Sequence, residues 1–189
     1  MAAAVLSRPK TQRLWTFDEM LAELPESNLP TELWDGELIR SPAPTPSHQQ
    51  LIVRLLCEMD GFVSERKLGT VFVSPIDVVL TQRRVVQPDL LFISNKRGGI
   101  VQDRIRGVPD LAVEVLSPGT RRRDRVDKKN LYEQFGLPEY WIVDPESRTI
   151  EVFVLVKGAY QLKTRASDHE KAASKLLAGF AVSFNQLVV

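Results

Sequence analysis

Leu111-Ala112-Val113-Glu114-Val115-Leu116-Ser117-Pro118-Gly119 is an apolar run with one carboxylate inside it and a chain breaker at its end. Its length and β-branched content are those of a buried strand, terminated by Ser-Pro-Gly. Glutamate is almost never fully buried without a partner. An unpaired buried ion costs several kcal/mol, so it neutralises, meets a cation or binds a metal. The run therefore predicts a central strand over residues 110–116 and, facing Glu114, a partner still to be found.

Working outward, residues 123–136 have the spacing of an amphipathic helix, ended by Gly136 and followed by Pro138. Tyr140-Trp141-Ile142-Val143 reads as the next strand, closed by Asp144-Pro145. A strand, a helix and a second strand in that order predict a mixed α/β sheet. Upstream, Leu90-Leu91-Phe92-Ile93 is a strand introduced by Pro88-Asp89, and short strands are expected at Val71-Phe72-Val73 and over 76–80. Residues 32–39 form a hairpin on the two-residue turn Asp35-Gly36. After the stiff segment 42–46 a helix runs from about Ser47 to about Val63, with Leu51, Ile52, Leu55, Leu56 and Met59 on its apolar face. Residues 149–156 and 159–163 form a hairpin around Lys157-Gly158, and the apolar tail 176–189 returns to the core. We expect a flexible N-terminal arm over 1–16 and a single domain over 17–189.

Composition narrows the class. The 189 residues are 43% apolar and 26% charged, and 25 basic against 24 acidic residues leave a net charge of +1. These are the values of a soluble globular protein with a real core. They exclude a uniformly basic coating protein, but a local patch can still meet nucleic acid. Cys57 is the only cysteine, so no internal disulfide forms, and a reducing cytoplasm is expected. No stretch reaches the about 18 apolar residues of a membrane span. There is no zinc-type cluster, no Walker loop and no Gly-x-Ser-x-Gly elbow.

The search for Glu114's partner yields a chemical set. Asp89 opens its strand and can face a cleft. In the run Arg121-Arg122-Arg123-Asp124-Arg125-Val126-Asp127-Lys128-Lys129, Lys128 shares a helical stripe with Leu131, Tyr132 and Phe135, whereas Lys129 points with Glu133 toward solvent. His48 lies one turn before Leu51 and Ile52, on the buried face of its helix. Glu32 or Glu37 could reach the same place from the hairpin. Asp77 is an embedded carboxylate of undecided role. Two strand carboxylates suit Mg²⁺ or Mn²⁺, which take hard oxygen ligands and keep several waters. Lysine can orient or activate a water or stabilise the transition state. Arg121, Arg122, Arg123 and Arg125 would hold a phosphate backbone.

These residues resemble a known family. Pro88-Asp89 followed by Glu114-Val115-Leu116 is similar to the PD-(D/E)xK nuclease superfamily, with leucine where the motif lysine would fall and Lys128 placed to supply it from the next helix. The nearer resemblance, over about residues 14–186, is to the Uma-type endonucleases, a large bacterial group first known as a domain of unknown function. It is carried by 32–38, Ser47-His48, Pro88-Asp89, 109–118, Asp124 with Lys128, Leu131-Tyr132 and 136–145. The resemblance implies a restriction-endonuclease-like fold, a mixed central sheet flanked by helices. It also implies metal-dependent hydrolysis of DNA. In that reading Asp89 and Glu114 hold Mg²⁺ or Mn²⁺, Lys128 assists the attacking water, and His48 or Glu32 completes the site. A double-strand break would need two such sites, hence a homodimer. Two other readings compete: a nucleic-acid-binding module on this fold with catalysis lost, and an interaction protein in which Glu114 and Lys128 are simply a buried ion pair.

Overall fold

A computed structural model of the chain describes residues 13–25 and 29–188. The elements are, in order, α1 (Phe17–Glu23), β1 (Thr31–Trp34), β2 (Glu37–Arg40), α2 (Pro46–Glu65), β3 (Gly69–Val73), β4 (Val78–Thr81), β5 (Arg84–Val86), β6 (Leu90–Ser94), a 3₁₀ turn (Asn95–Ile100), β7 (Ile105–Arg106), β8 (Leu111–Val115), a π turn (Arg123–Lys128), α3 (Lys129–Phe135), β9 (Glu139–Asp144), β10 (Thr149–Val156), β11 (Ala159–Ser167), β12 (Lys171–Ala173), β13 (Ala181–Ser183) and α4 (Phe184–Leu187). Most of the expected arm lies outside the described residues. Its last part is tied down: Trp15 N–H donates to the Gly36 carbonyl, and Thr16 caps α1 through a capping box with Glu19.

The main sheet has six strands in the order β11-β10-β9-β8-β6-β3, with β8 and β9 parallel and the other neighbours antiparallel. A parallel pair needs a crossover, and the π turn with α3 supplies it. The β1–β2 hairpin belongs to a second sheet, β2-β1-β5-β4-β7, in which β5 and β7 are too short for periodicity to reveal. Asp35 and Gly36 both have positive φ, as the predicted two-residue turn requires. Gly36 admits no side chain, because an added Cβ would stand 2.9 Å from the Trp15 carbonyl oxygen.

Strand β8 is buried on both faces, and its alternation decides what each face meets. Leu111, Val113 and Val115 pack with Leu51, Ile52, Leu55, Met59 and Val63 of α2. Burying such side chains stabilises the fold by about 1.5–3 kcal/mol each. Ala112 and Leu116 pack on the opposite face with Leu131, Tyr132 and Leu137. Glu114 has the parity of Ala112 and Leu116, so it faces the helix that follows it. The tail returns as expected, with Leu177, Phe180, Val182, Phe184 and Leu187 in the α2-side core. Among the described residues no helix is long and apolar enough to cross a membrane.

Candidate active site

The strand-end geometry begins with Pro88-Asp89. The β6–β8 ladder runs from Phe92 opposite Leu111 to Leu90 opposite Val113. Beyond it Asp89 substitutes its side chain for a main-chain acceptor: Val115 N–H donates to Asp89 Oδ2 at 2.7 Å. The adjacent Val115 carbonyl accepts from His48 Nε2 at 2.8 Å, and the same nitrogen lies 3.4 Å from Asp89 Oδ2. His48 reaches this point because α2 starts just before it, with Thr45 as N-cap and Pro46 in the first turn. A carbonyl can only accept, so Nε2 carries hydrogen and Nδ1, buried without a partner, is the other tautomeric nitrogen. Burial alone would lower the His48 pKa, but the Asp89 carboxylate and the Val115 carbonyl outweigh it and hold the ring's pKa above the usual histidine value.

Glu114 finds its partner on the next helix. Lys128 Nζ lies 2.8 Å from Glu114 Oε1 and 2.9 Å from Glu32 Oε1. All three side chains are almost completely buried. Tyr132, one turn beyond Lys128, donates to Glu114 Oε1 as well. Of the two hairpin glutamates, Glu32 is the one that turns inward; Glu37 is exposed. Glu32 also accepts from Gln87 N–H at 2.9 Å and Trp34 Nε1 at 3.1 Å. Burial would raise the Glu32 carboxyl, yet the Lys128 charge and the Gln87 N–H hold it below its ordinary range. For Glu114 burial prevails: its pKa stands well above the ordinary value, offset only in part by Lys128 and reinforced by Asp124, Asp89 and Glu32. Desolvation opposes the Lys128 charge too, but Glu114, Glu32 and Asp124 overcome it and keep the ammonium protonated.

Sequence reasoning did not single out Asp124 as a site residue, because it sits among arginines and reads as a charge on a solvated loop. It is 2% exposed, and its Oδ1 has no hydrogen-bond partner. The cause is the π turn, whose wider coil sets Asp124 and Lys128 on the cavity side together, Oδ1 and Nζ being 3.7 Å apart. Burial raises the Asp124 carboxyl above the aspartate range despite Lys128. Lys129, expected in solvent, is half-buried, with Nζ 4.2 Å from the centre of the Phe153 ring.

A cavity of about 210 Å³ opens on this group; His48, Asp89, Glu114, Arg123, Asp124 and Lys128 all line it. The arginines divide. Arg121 and Arg125 both bind Asp144, at 2.7 and 3.0 Å, and reach Glu146 and Glu151 as well. Arg123 donates to Ser41 Oγ at 2.6 Å from the cavity wall, while Arg122 is exposed and forms no ion pair among the described residues. Asp77 lies outside this group, accepting from Gln87 Nε2 and Arg104 Nε.

The donor set suits a hard divalent cation. Three carboxylates, Glu32, Glu114 and Asp124, gather around one ammonium, Asp89 lines the same cavity, and a buried Asp124 oxygen is left unanswered. Asp89, just before β6, and Glu114, on β8, are the residues that could offer such oxygens, and hard cations need only one or two carboxylates because they retain water. Among the described residues no three acidic, histidine or cysteine side chains converge as a complete cage.

A six-stranded mixed sheet whose one parallel pair is joined by a helical crossover, with an acidic cavity at the strand ends, is the architecture of the restriction-endonuclease-like class. The chain belongs to the Uma2 family, described as "Putative restriction endonuclease", whose model matches residues 17–185. A solved structure described as a "putative nuclease belonging to DUF820", from Anabaena variabilis ATCC 29413, superposes with a TM-score of 0.76. It is 18% identical, and the match covers 91% of this chain and 96% of that one, a likeness of fold. No curated protein matches the chain.

Proposed function

We propose that this protein is an endonuclease that hydrolyses DNA phosphodiester bonds with the help of Mg²⁺ or Mn²⁺ held by Asp89 and Glu114. The observation that carries the reading is the meeting of Asp89, Glu114 and Lys128 at one cavity, with the lysine delivered from the crossover helix rather than from position 116. When bound, the cation would lower the pKa of a water and neutralise charge on a phosphoryl oxygen. Lys128 contributes a positive charge beside the attacking water and the developing phosphorane. Glu32 keeps that ammonium charged and oriented. His48 fixes the Asp89 carboxylate and the Val115 carbonyl, so Asp89 presents a defined oxygen to the cavity. Arg122, exposed, and Arg123, on the cavity wall, would hold the substrate backbone. Action on both strands would engage two copies of the chain, and the single cysteine suits a reducing cytoplasm.

The test is nicking of a supercoiled plasmid with Mn²⁺. The wild type is expected to convert it to open-circle and linear forms, and Asp89→Ala is expected to leave it intact. Equal nicking by both proteins would remove the proposed site.

A further inference from the structure

Asp124 is the buried acid to which the proposed reaction gives no task. Asp124 lines the cavity, and its buried Oδ1 has no hydrogen-bond partner, 3.7 Å from Lys128 Nζ. That separation is too long for a hydrogen bond. The ammonium has three protons, and its contacts to Glu114 Oε1 and Glu32 Oε1 use two of them. Asp124 and Lys128 belong to one π turn, four residues apart, so the backbone fixes their distance while the lysine's terminal torsions remain free to adjust.

We propose that Asp124 is a positioning residue: it takes over the Lys128 ammonium when Glu114 turns its charge to a divalent cation. The proposal rests on the reading of Asp89 and Glu114 as that cation's ligands. A cation at Glu114 withdraws the carboxylate from Lys128 and repels the ammonium. Glu32 alone then faces Lys128, already engaged by Gln87 and Trp34. Asp124 Oδ1 is the neighbouring acceptor with unused capacity, and a small swing of Nζ brings it into bonding range. The lysine thereby stays charged, buried and beside the reacting phosphate while the cation is in place. Without this second seat, cation and lysine would exclude each other.

The experiment follows the ¹⁵N–¹H signal of the Lys128 ammonium, identified by its loss in Lys128→Met, with and without Mg²⁺. In the wild type the signal is expected to persist at saturating Mg²⁺, shifted by the change of partner. In Asp124→Ala, which has no side-chain acceptor, it is expected without Mg²⁺ and to be lost on saturation, while calorimetry shows Mg²⁺ affinity lowered by about tenfold, because the unseated ammonium then opposes the cation. Should Asp124→Ala fail to fold, the near-isosteric Asp124→Leu serves in its place. A signal that survives Mg²⁺ in the variant overturns the proposal. So does an equal fall in affinity when the same substitution is made in Lys128→Met, which would make Asp124 a direct ligand instead of a seat for the lysine. A wild type that takes up no Mg²⁺ removes the cation reading and this proposal with it, an outcome distinct from either of those.

Discussion

Lys128 Nζ lies 2.8 Å from Glu114 Oε1, and the two side chains are 4% and 3% exposed. The pair is not symmetric. Lys128 has a second carboxylate, Glu32, at 2.9 Å and a third, Asp124, at 3.7 Å. Glu114→Gln therefore leaves the ammonium paired and relieves crowding among the acids. Its melting temperature should equal or exceed that of the wild type, with nicking lost. Lys128→Met leaves Glu32, Glu114 and Asp124 without their cation, and should cost about 3–5 kcal/mol. Urea melts of the two variants check the contrast. Equal destabilisation would reduce the pair to a structural ion pair.

The same acids should make the fold sensitive to divalent cations. A ligand at a hundred times its dissociation constant stabilises the folded state by about 2.7 kcal/mol. For a domain of this size that raises the melting temperature by roughly 5–10 °C. Mn²⁺ should produce such a shift in the wild type, and Asp89→Ala should abolish it. Asp89→Ala also loses the Val115 hydrogen bond, so the quantity to compare is the shift on adding metal and not the absolute melting temperature.

Wherever hydrophobic period or turn chemistry is local, the chain can be read directly. The Asp35-Gly36 hairpin, the apolar face of α2 and strands β6, β8 and β9 all follow from it. Glu114 was legible because a charge inside an apolar strand demands a partner, and Lys128 because α3 repeats regularly beyond it. The π turn was not legible: it has no composition of its own and becomes visible only as hydrogen bonding. With it went the placement of Asp124. The division of the arginines was hidden for another reason. Asp144, Glu146 and Glu151 lie 19 or more positions after the arginines they bind and come beside them through the parallel β8–β9 pairing and the β9–β10 hairpin.

Asp144 gives the fold a predictable acid response. Burial would raise its pKa, but hydrogen bonds from Ser147 and Arg125 and the charge of Arg121 outweigh this and hold the carboxyl below the ordinary aspartate range. A depressed folded-state pKa means stability that is complete above the unfolded value of about 3.9 and is lost as pH falls through the lower folded value. Asp144→Asn should cost about 1–3 kcal/mol at neutral pH. The gap from the wild type should stay constant from about pH 8 to about pH 5 and close below about pH 4. Denaturation curves over that range test the sign: a gap that widens in acid would contradict the assigned role.

The basic run should separate by function when its arginines are removed one at a time. Arg121 and Arg125 are bound to Asp144 and its acidic neighbours, so alanine at either position should lower stability and leave the salt dependence of DNA binding nearly intact. Arg122 is exposed, and Arg123 lines the cavity, where it donates to the Ser41 hydroxyl and stands 3.9 Å from Glu32. Alanine at either of these should weaken binding of a duplex. Each lost phosphate contact should flatten the slope of log affinity against log salt by about 0.9. Fluorescence anisotropy across a salt series, in Ca²⁺ so that the duplex stays intact, measures this directly. The converse pattern, with flat slopes in Arg121→Ala and Arg125→Ala and none in Arg122→Ala or Arg123→Ala, would mean that DNA displaces the Asp144 bridges and that the carboxylate competes with phosphate for the same guanidinium groups.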